Sequence, residues 1–217
     1  MVGTGGENFS KTRVFTVFFV LIYLFYDKIN KNMLFCGVLW MTLLKEDFFA
    51  RGAYYAAQQL IGKWICRRID GEIYRFQVTE TECYIGSCDT ACHAYKGKTA
   101  RTQIMWHKGG VCYVYLCYGI HYMLNFITGC EGEAEGVLIR GVKGASGPGR
   151  AAKAMQIDKS LYGESLLTKD KIWVEDDGNV YDFTKSKRVG IGYASQEDQD
   201  RLWRFELKEQ QTCPITE

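Results

Sequence analysis

The sequence predicts an α+β fold, a single mixed domain with a curved, mostly antiparallel sheet flanked by helices, and three observations carry that prediction. Two stretches, 63–84 and 111–127, each read as paired strands around a tight turn, at Asp70-Gly71 and Tyr118-Gly119. A further run, Val137-Leu138-Ile139-Arg140, continues the sheet and ends in a cation. Helical segments stand before and after these strands.

In chain order, Phe48–Ile61 has apolar and small residues at helical spacing, and Gly62 is its terminator. Lys63–Ile69 and Ile73–Tyr84 form the first hairpin, which places Glu82 near the end of the second arm, at a sheet edge or mouth. Gly86–Gly110 is polar and weakly periodic, a long loop with short helices, and it carries His93, Lys98 and Arg101. Loops of this length in a compact domain are often functional, so its cations are candidates for an anionic partner, against the plainer reading of a solvated surface. Val111–Cys117 and His121–Ile127 form the second hairpin with Tyr118 at the tip. Gly147-Pro148-Gly149 is a turn, followed by a short helix through Lys153 and Met155. Ile172–Glu175 and Arg188–Ile191 read as late strands, and Trp203-Arg204-Phe205 closes the sheet.

Composition bounds the function. A chain of 217 residues with 47% hydrophobic and 24% charged content suits one compact domain with or without an appendage. The net charge of +2 neither supports nor excludes nucleic acid, so any basic surface is local. Nine cysteines, an odd number without secreted-domain spacing, indicate reduced thiols in a cytoplasmic protein. Cys83, Cys88, Cys92 and His93 raise the question of zinc, yet their spacing lacks a knuckle or a second ligand pair, and free core thiols are expected instead.

The first 40 residues differ from the rest. Val14–Tyr26 is an apolar run of 13 residues, too short for a span of about 20, and the second run, Met33–Leu44, is similarly short. Lys11 and Arg13 resemble the start of a signal peptide, but no small-residue cleavage site follows. Residues 1–40 are therefore read as an apolar extension from an early start codon, with Met41 as initiator; a membrane anchor is the alternative.

The chemistry concentrates in Val78-Thr79-Glu80-Thr81-Glu82-Cys83-Tyr84. With strand alternation, Phe76, Val78, Glu80, Glu82 and Tyr84 share one face, so an acid stands beside an aromatic ring. Such a face is either solvated or a site. Tyr118 at a hairpin tip is either packed on its own hairpin or a wedge for DNA bases. Asn125 shares a face with His121 and Met123 and offers an amide to a pocket.

The ordered motifs VTETECYIG, CHAYKGKTAR, YVYLCYGIHYMLN, GVLIRGV, GPGRAAKAM, RVGIGYA and WRF closely resemble the alkyladenine (3-methyladenine) DNA glycosylases, from about Asp47 to about Lys208. The resemblance implies a single mixed α/β domain and a monofunctional enzyme. Such an enzyme flips alkylated or deaminated purines out of double-stranded DNA and hydrolyses the N-glycosidic bond in base excision repair. It implies no cofactor or metal, no membrane partner and a monomer. Carried over by motif, Glu82 resembles the acid that activates water and Arg140 the arginine that assists it. Tyr84 and Tyr115 resemble the rings on either side of the flipped base. His93 resembles the histidine that hydrogen-bonds the nucleotide, and Asn125 the residue that excludes the exocyclic amine of guanine. Tyr118 resembles the ring inserted into the duplex, with Lys98 and Arg101 as backbone contacts.

The match ranks Glu82 above Glu80, which is expected to be a supporting acid. Where the family commonly reads TPRN, this chain has Thr99-Ala100-Arg101-Thr102, so the loop loses proline stiffness and an amide. Two rivals remain: an idle DNA- or nucleotide-binding module, against which the retention of the whole residue set argues, and a membrane-anchored envelope protein, motivated only by the N-terminus.

Overall fold

The computed structural model describes residues 41–208, so the readings of residues 1–40 lie outside the described residues. Within them the chain runs β1 (Thr42–Leu43), α1 (Glu46–Phe49), α2 (Ala53–Gln59), β2 (Trp64–Ile69), β3 (Glu72–Ile85), β4 (Cys112–Cys117), β5 (His121–Thr128) and β6 (Glu135–Val142). It continues as β7 (Ala145–Ser146), α3 (Pro148–Ala154), β8 (Ile172–Asp176), β9 (Phe183–Ser186), α4 (Gln196–Asp200) and β10 (Arg204–Leu207). The strands pair antiparallel throughout, in the order β1-β8-β2-β3-β6-β5-β4, with β10 joining β3 to β9 and β7 on β6. The predicted α+β class is what the chain adopts.

Both hairpins form at their expected turns. Asp70 and Gly71 have φ of 50° and 87°, and Tyr118 and Gly119 have 51° and 71°, the left-handed pair that a two-residue hairpin turn requires. The main core lies between the sheet and helices α2 and α3, where Phe49, Leu60, Phe126, Val137 and Phe205 are buried. Each such side chain contributes about 1.5–3 kcal/mol by leaving water. A second, smaller cluster gathers Cys92, Met105, Tyr113 and Ile127 beneath the loop after β3.

Several expectations are corrected. The helix over Phe48–Ile61 is two helices, because the carbonyls of Phe49 and Arg51 turn aside to accept the Gly129 N–H at 2.9 and 3.1 Å. Ala53 N then donates to Glu135 Oε2 at 2.6 Å, which starts α2 afresh.

The candidate strand is central rather than at an edge. Glu82 pairs with Leu138 of β6 on one side and Arg204 of β10 on the other.

Its face is not continuous either. The β3–β6 register shifts between Val78 and Thr81, and both Val78 and Cys83 lie in the main core although they are an odd number of positions apart. Simple alternation forbids that, so the bulge turns Phe76 and Val78 away from the face of Glu80 and Glu82.

Finally, Arg188–Ile191 is not a strand; the pairing strand is Phe183–Ser186. The Val189 N–H goes to the Glu82 carboxylate rather than to a neighbouring strand, and the Arg188 side chain anchors the segment through a buried ion pair. The helix after Gly147 also starts earlier than read, with Pro148 at its first turn, where its missing N–H costs nothing. All seven cysteines in the described region are unpaired; Cys83 and Cys92 are buried as expected, but Cys88 and Cys130 are exposed.

Candidate active site

Glu80, Glu82 and Tyr84 project from β3 after the bulge, opposite Arg140 of β6. Glu82 has no exposed surface. Its Oε1 accepts the Val189 N–H at 2.8 Å and lies 3.5 Å from Arg140 Nε, and its Oε2 accepts the Tyr84 hydroxyl at 2.8 Å. Burial raises its carboxyl above the usual carboxylate range, while Arg140, the Val189 N–H and the Tyr84 hydroxyl pull the other way. A dry carboxylate with donors fixed at its side is suited to taking a proton from water.

Glu80 has a different setting. Its Oε1 accepts from Arg140 Nε at 2.7 Å and from Arg204 Nε at 2.6 Å, so two guanidinium groups satisfy it. The pair of acids that looked equivalent in sequence is therefore unequal. Arg140 is held by Glu80 and presented to Glu82.

Beside Glu82 opens a pocket lined by Tyr84, Cys92, His93, Tyr115, Asn125 and Tyr193, with Gly136 among the remaining lining residues. Four strands and two loops supply it, the second loop being the segment after β9 that carries Tyr193. Tyr84 comes from β3, Tyr115 from β4, Asn125 from β5, Gly136 from β6 and His93 from the loop after β3. The His93 and Tyr115 rings meet edge to face at 4.6 Å, and Tyr113 lies 5.3 Å from Tyr115. Asn125 Nδ2 donates to the Tyr113 carbonyl at 3.2 Å, which fixes the amide at the wall.

His93 Nδ1 lies 2.9 Å from the Tyr113 hydroxyl. Burial, then the nearby Arg101 cation, hold its imidazole below the usual histidine value, so it stands neutral at pH 7. In the tautomer where the phenol donates to Nδ1, Nε2 carries the proton and is a donor. Burial also pushes the Cys92 thiol up to about 12, which keeps it an inert wall rather than a nucleophile.

Tyr118 stands at the β4–β5 tip, 93% exposed and in left-handed backbone that a bulky residue rarely adopts. The hairpin turn accounts for that backbone, and it holds the ring clear of the protein surface. Lys98 and Arg101 are both exposed on the loop. The substituted Thr99–Thr102 segment replaces stiffness by hydroxyls: Thr99 and Thr102 Oγ1 lie 2.8 Å apart, and Thr102 Oγ1 accepts the Thr99 N–H at 3.0 Å.

Tyr84, His93, Tyr115 and Asn125 thus share one pocket, Glu82 accepts from its Tyr84 wall with Arg140 beside Glu82, and Tyr118, Lys98 and Arg101 are outside its lining. Sequence reasoning missed Tyr113, Tyr193, Arg188 and the Val189 N–H. The last three lie in or beside RVGIGYA, whose apolar alternation suggests a strand and hides a loop that reaches back to β3.

A family model described as methylpurine-DNA glycosylase matches residues 47–145 and 143–211. The chain is 42% identical over 183 residues to a protein of Psychrobacter cryohalolentis, covering 70% of this chain and 86% of that one. A Natranaerobius thermophilus protein is 37% identical over 190 residues, covering 76% of this chain and 96% of its own length. A Borreliella burgdorferi protein is 37% identical over 175 residues, covering 75% and 94%. All three carry the name "Putative 3-methyladenine DNA glycosylase".

Proposed function

The chain belongs to the methylpurine-DNA glycosylase family, and on that premise we propose how its residues perform the family's reaction. It is a hydrolase of N-glycosidic bonds that removes damaged purines of the 3-methyladenine type from DNA in base excision repair. We assign catalysis to Glu82 and Arg140, the base pocket to Tyr84, His93, Tyr115 and Asn125, and the duplex wedge to Tyr118.

The damaged nucleotide leaves the stack, which costs a few kcal/mol and least for a weakly paired lesion. Tyr118 fills the gap it leaves. In the pocket the base lies between Tyr84 and Tyr115, whose π faces favour an electron-poor or cationic alkylated purine. His93 donates to the nucleotide, and Asn125 crowds the position of a guanine amine. As the C1′–N bond breaks, its electron pair leaves with the base and C1′ gains oxocarbenium character. The Glu82 carboxylate stabilises that charge and takes the proton of the water that adds to C1′. The products are the free base and an abasic site.

The observation that carries this assignment is the carboxylate of Glu82, without exposed surface, gripped on both oxygens and set beside an aromatic pocket. We place the activity in residues 41–217, with 1–40 as an extension, and take the protein to be a cytoplasmic monomer on double-stranded DNA, with Lys98 and Arg101 on the backbone. No helix among the described residues is long and apolar enough to cross a membrane.

The test is release of free base from a methylated duplex. Glu82→Gln is expected to bind that duplex with near wild-type affinity and to lose about 10²–10⁴-fold in rate, since an amide cannot act as a base. Near-normal turnover by that variant removes Glu82 from the role. Tight binding without release by the wild type favours the idle binding module.

A further inference from the structure

Behind the pocket lies an ion pair that the chemistry above does not use. Arg188 and Asp89 are both 0% exposed at the side chain. Arg188 Nη1 donates to Asp89 Oδ2 at 2.6 Å and to the Cys83 carbonyl at 3.0 Å, and Nη2 donates to Asp89 Oδ1 at 2.8 Å and to the Asp198 carbonyl at 3.3 Å. Asp89 in turn accepts from Ile85 N and Ala91 N at 3.3 and 3.0 Å, which ties it to the turn leaving β3.

The flat guanidinium covers the Tyr84 ring at 4.7 Å and the Trp203 ring at 5.0 Å, and Arg188 is absent from the pocket lining. One face of Tyr84 is thus backed by the cation, and the other is left to the base. The residue after Arg188 supplies the Val189 N–H that Glu82 accepts. A single buried group therefore touches three things that must agree in position: the carbonyl between Glu82 and Tyr84, the stacking ring, and the backbone of the donor to the base.

Burying a charge pair is costly, and an apolar pair of like volume often stabilises a fold as well or better. Stability alone is thus a weak reason for this one. We propose that Arg188 is a positioning residue for base release, whose fork and flat face, anchored on Asp89, lock Tyr84 and the Val189 N–H to Glu82 so that stacking platform and general base hold one geometry.

This inference rests on the glycosylase reading. It is tested by single-turnover release of free base from a dimethyl-sulfate-methylated duplex across pH, with duplex affinity and thermal melting measured in parallel. The proteins are the wild type, Arg188→Lys and the double variant Arg188→Met/Asp89→Asn, which leaves no stranded buried charge. Beside burial, the groups that set the Glu82 titration are Arg140 from β6, the Val189 N–H, Tyr84 on its own strand and Arg188; Tyr193 from the segment after β9 and Tyr115 from β4 are charged neighbours only when ionised, and Glu80 shares Arg140.

Losing the fixed Val189 N–H and a nearby cation moves the acid limb of the double variant to higher pH. Its rate at neutral pH is expected to fall about tenfold to a hundredfold, as for a small misplacement of reacting groups. Arg188→Lys keeps the charge without the fork and lies between. A folded double variant with the wild-type rate overturns the proposal, as does a lower rate with an unmoved acid limb. Failure of both variants to fold marks Arg188 as a folding residue and also overturns it. A wild type that releases no base refutes the glycosylase reading itself; normal wild-type release beside unaffected variants refutes the clamp alone.

Discussion

For a single residue, the question is what it costs Glu82 to be ionised. Burial raises its carboxyl above the usual range, and a general base works only when deprotonated, so base release falls as pH drops through that raised value. The single-turnover rate is therefore expected to show an acid limb above the ordinary carboxylate range. Tyr84→Phe keeps the ring but removes the 2.8 Å hydroxyl that favours the ionised form. It should retain lesion affinity while its acid limb moves further up, and an unmoved limb counts against that hydrogen bond. Stability follows the same group with its own sign. A carboxyl raised in the folded state contributes stability that is full below its unfolded pKa and lost as pH rises through its folded pKa. Glu82→Gln cannot ionise, so its melting temperature is expected to exceed that of the wild type at neutral pH and to converge with it as pH falls below the ordinary carboxylate value. Equal melting at neutral pH contradicts the cost of burial. At the residue scale the sequence was legible in geometry: Tyr84, His93, Tyr115 and Asn125 line one pocket, and Glu82 accepts the hydroxyl of its Tyr84 wall. Arg188 was not legible, because a cation within an apolar run gives no sign that its partner lies 99 positions earlier.

Elements set where those residues point. The β4–β5 hairpin presents Tyr118 clear of the molecule, so Tyr118→Ala is expected to leave thermal stability within about 0.5 kcal/mol while weakening affinity for lesion duplex. Unchanged affinity by titration rejects the wedge. Both hairpin turns were readable because local backbone chemistry decides them. The bulge in β3 was not, since period-two reasoning assumes an unbroken pleat; the extra turn of the strand sends Val78 to the core and keeps Glu82 at the pocket. The broken helix at residues 50–52 failed for a similar reason. Its carbonyls are captured by Gly129, whose approach depends on tertiary packing, and Gly109 presses so close that a Cβ there would stand 2.1 Å from the Phe49 carbonyl oxygen. Residue spacing within the helix contains no record of such a neighbour.

For the whole molecule, a net charge of +2 means that attraction to phosphate depends on where cations lie rather than on their number. If Lys98 and Arg101 meet the backbone, each alanine substitution reduces the slope of log affinity against log salt by about one, with little change in the rate of base release once bound. A slope equal to the wild type removes that residue from the interface. The fold class was legible because paired strand runs and turn residues recur along the sequence, whereas the order of strands in the sheet depends on contacts far apart in the chain. The 14-residue strand β3 is the clearest case: it pairs with β2 over its first half and with both β6 and β10 over its second. Amide protons there are covered on both sides, so those of Thr81 to Cys83 should exchange with deuterium only when the entire domain opens, while the Tyr118 tip exchanges through local fluctuation. If the proposed roles hold, the strand that carries Glu82 and the tip that carries Tyr118 belong to opposite ends of the protein's range of motion, one waiting on global opening and the other free to sample DNA on its own clock.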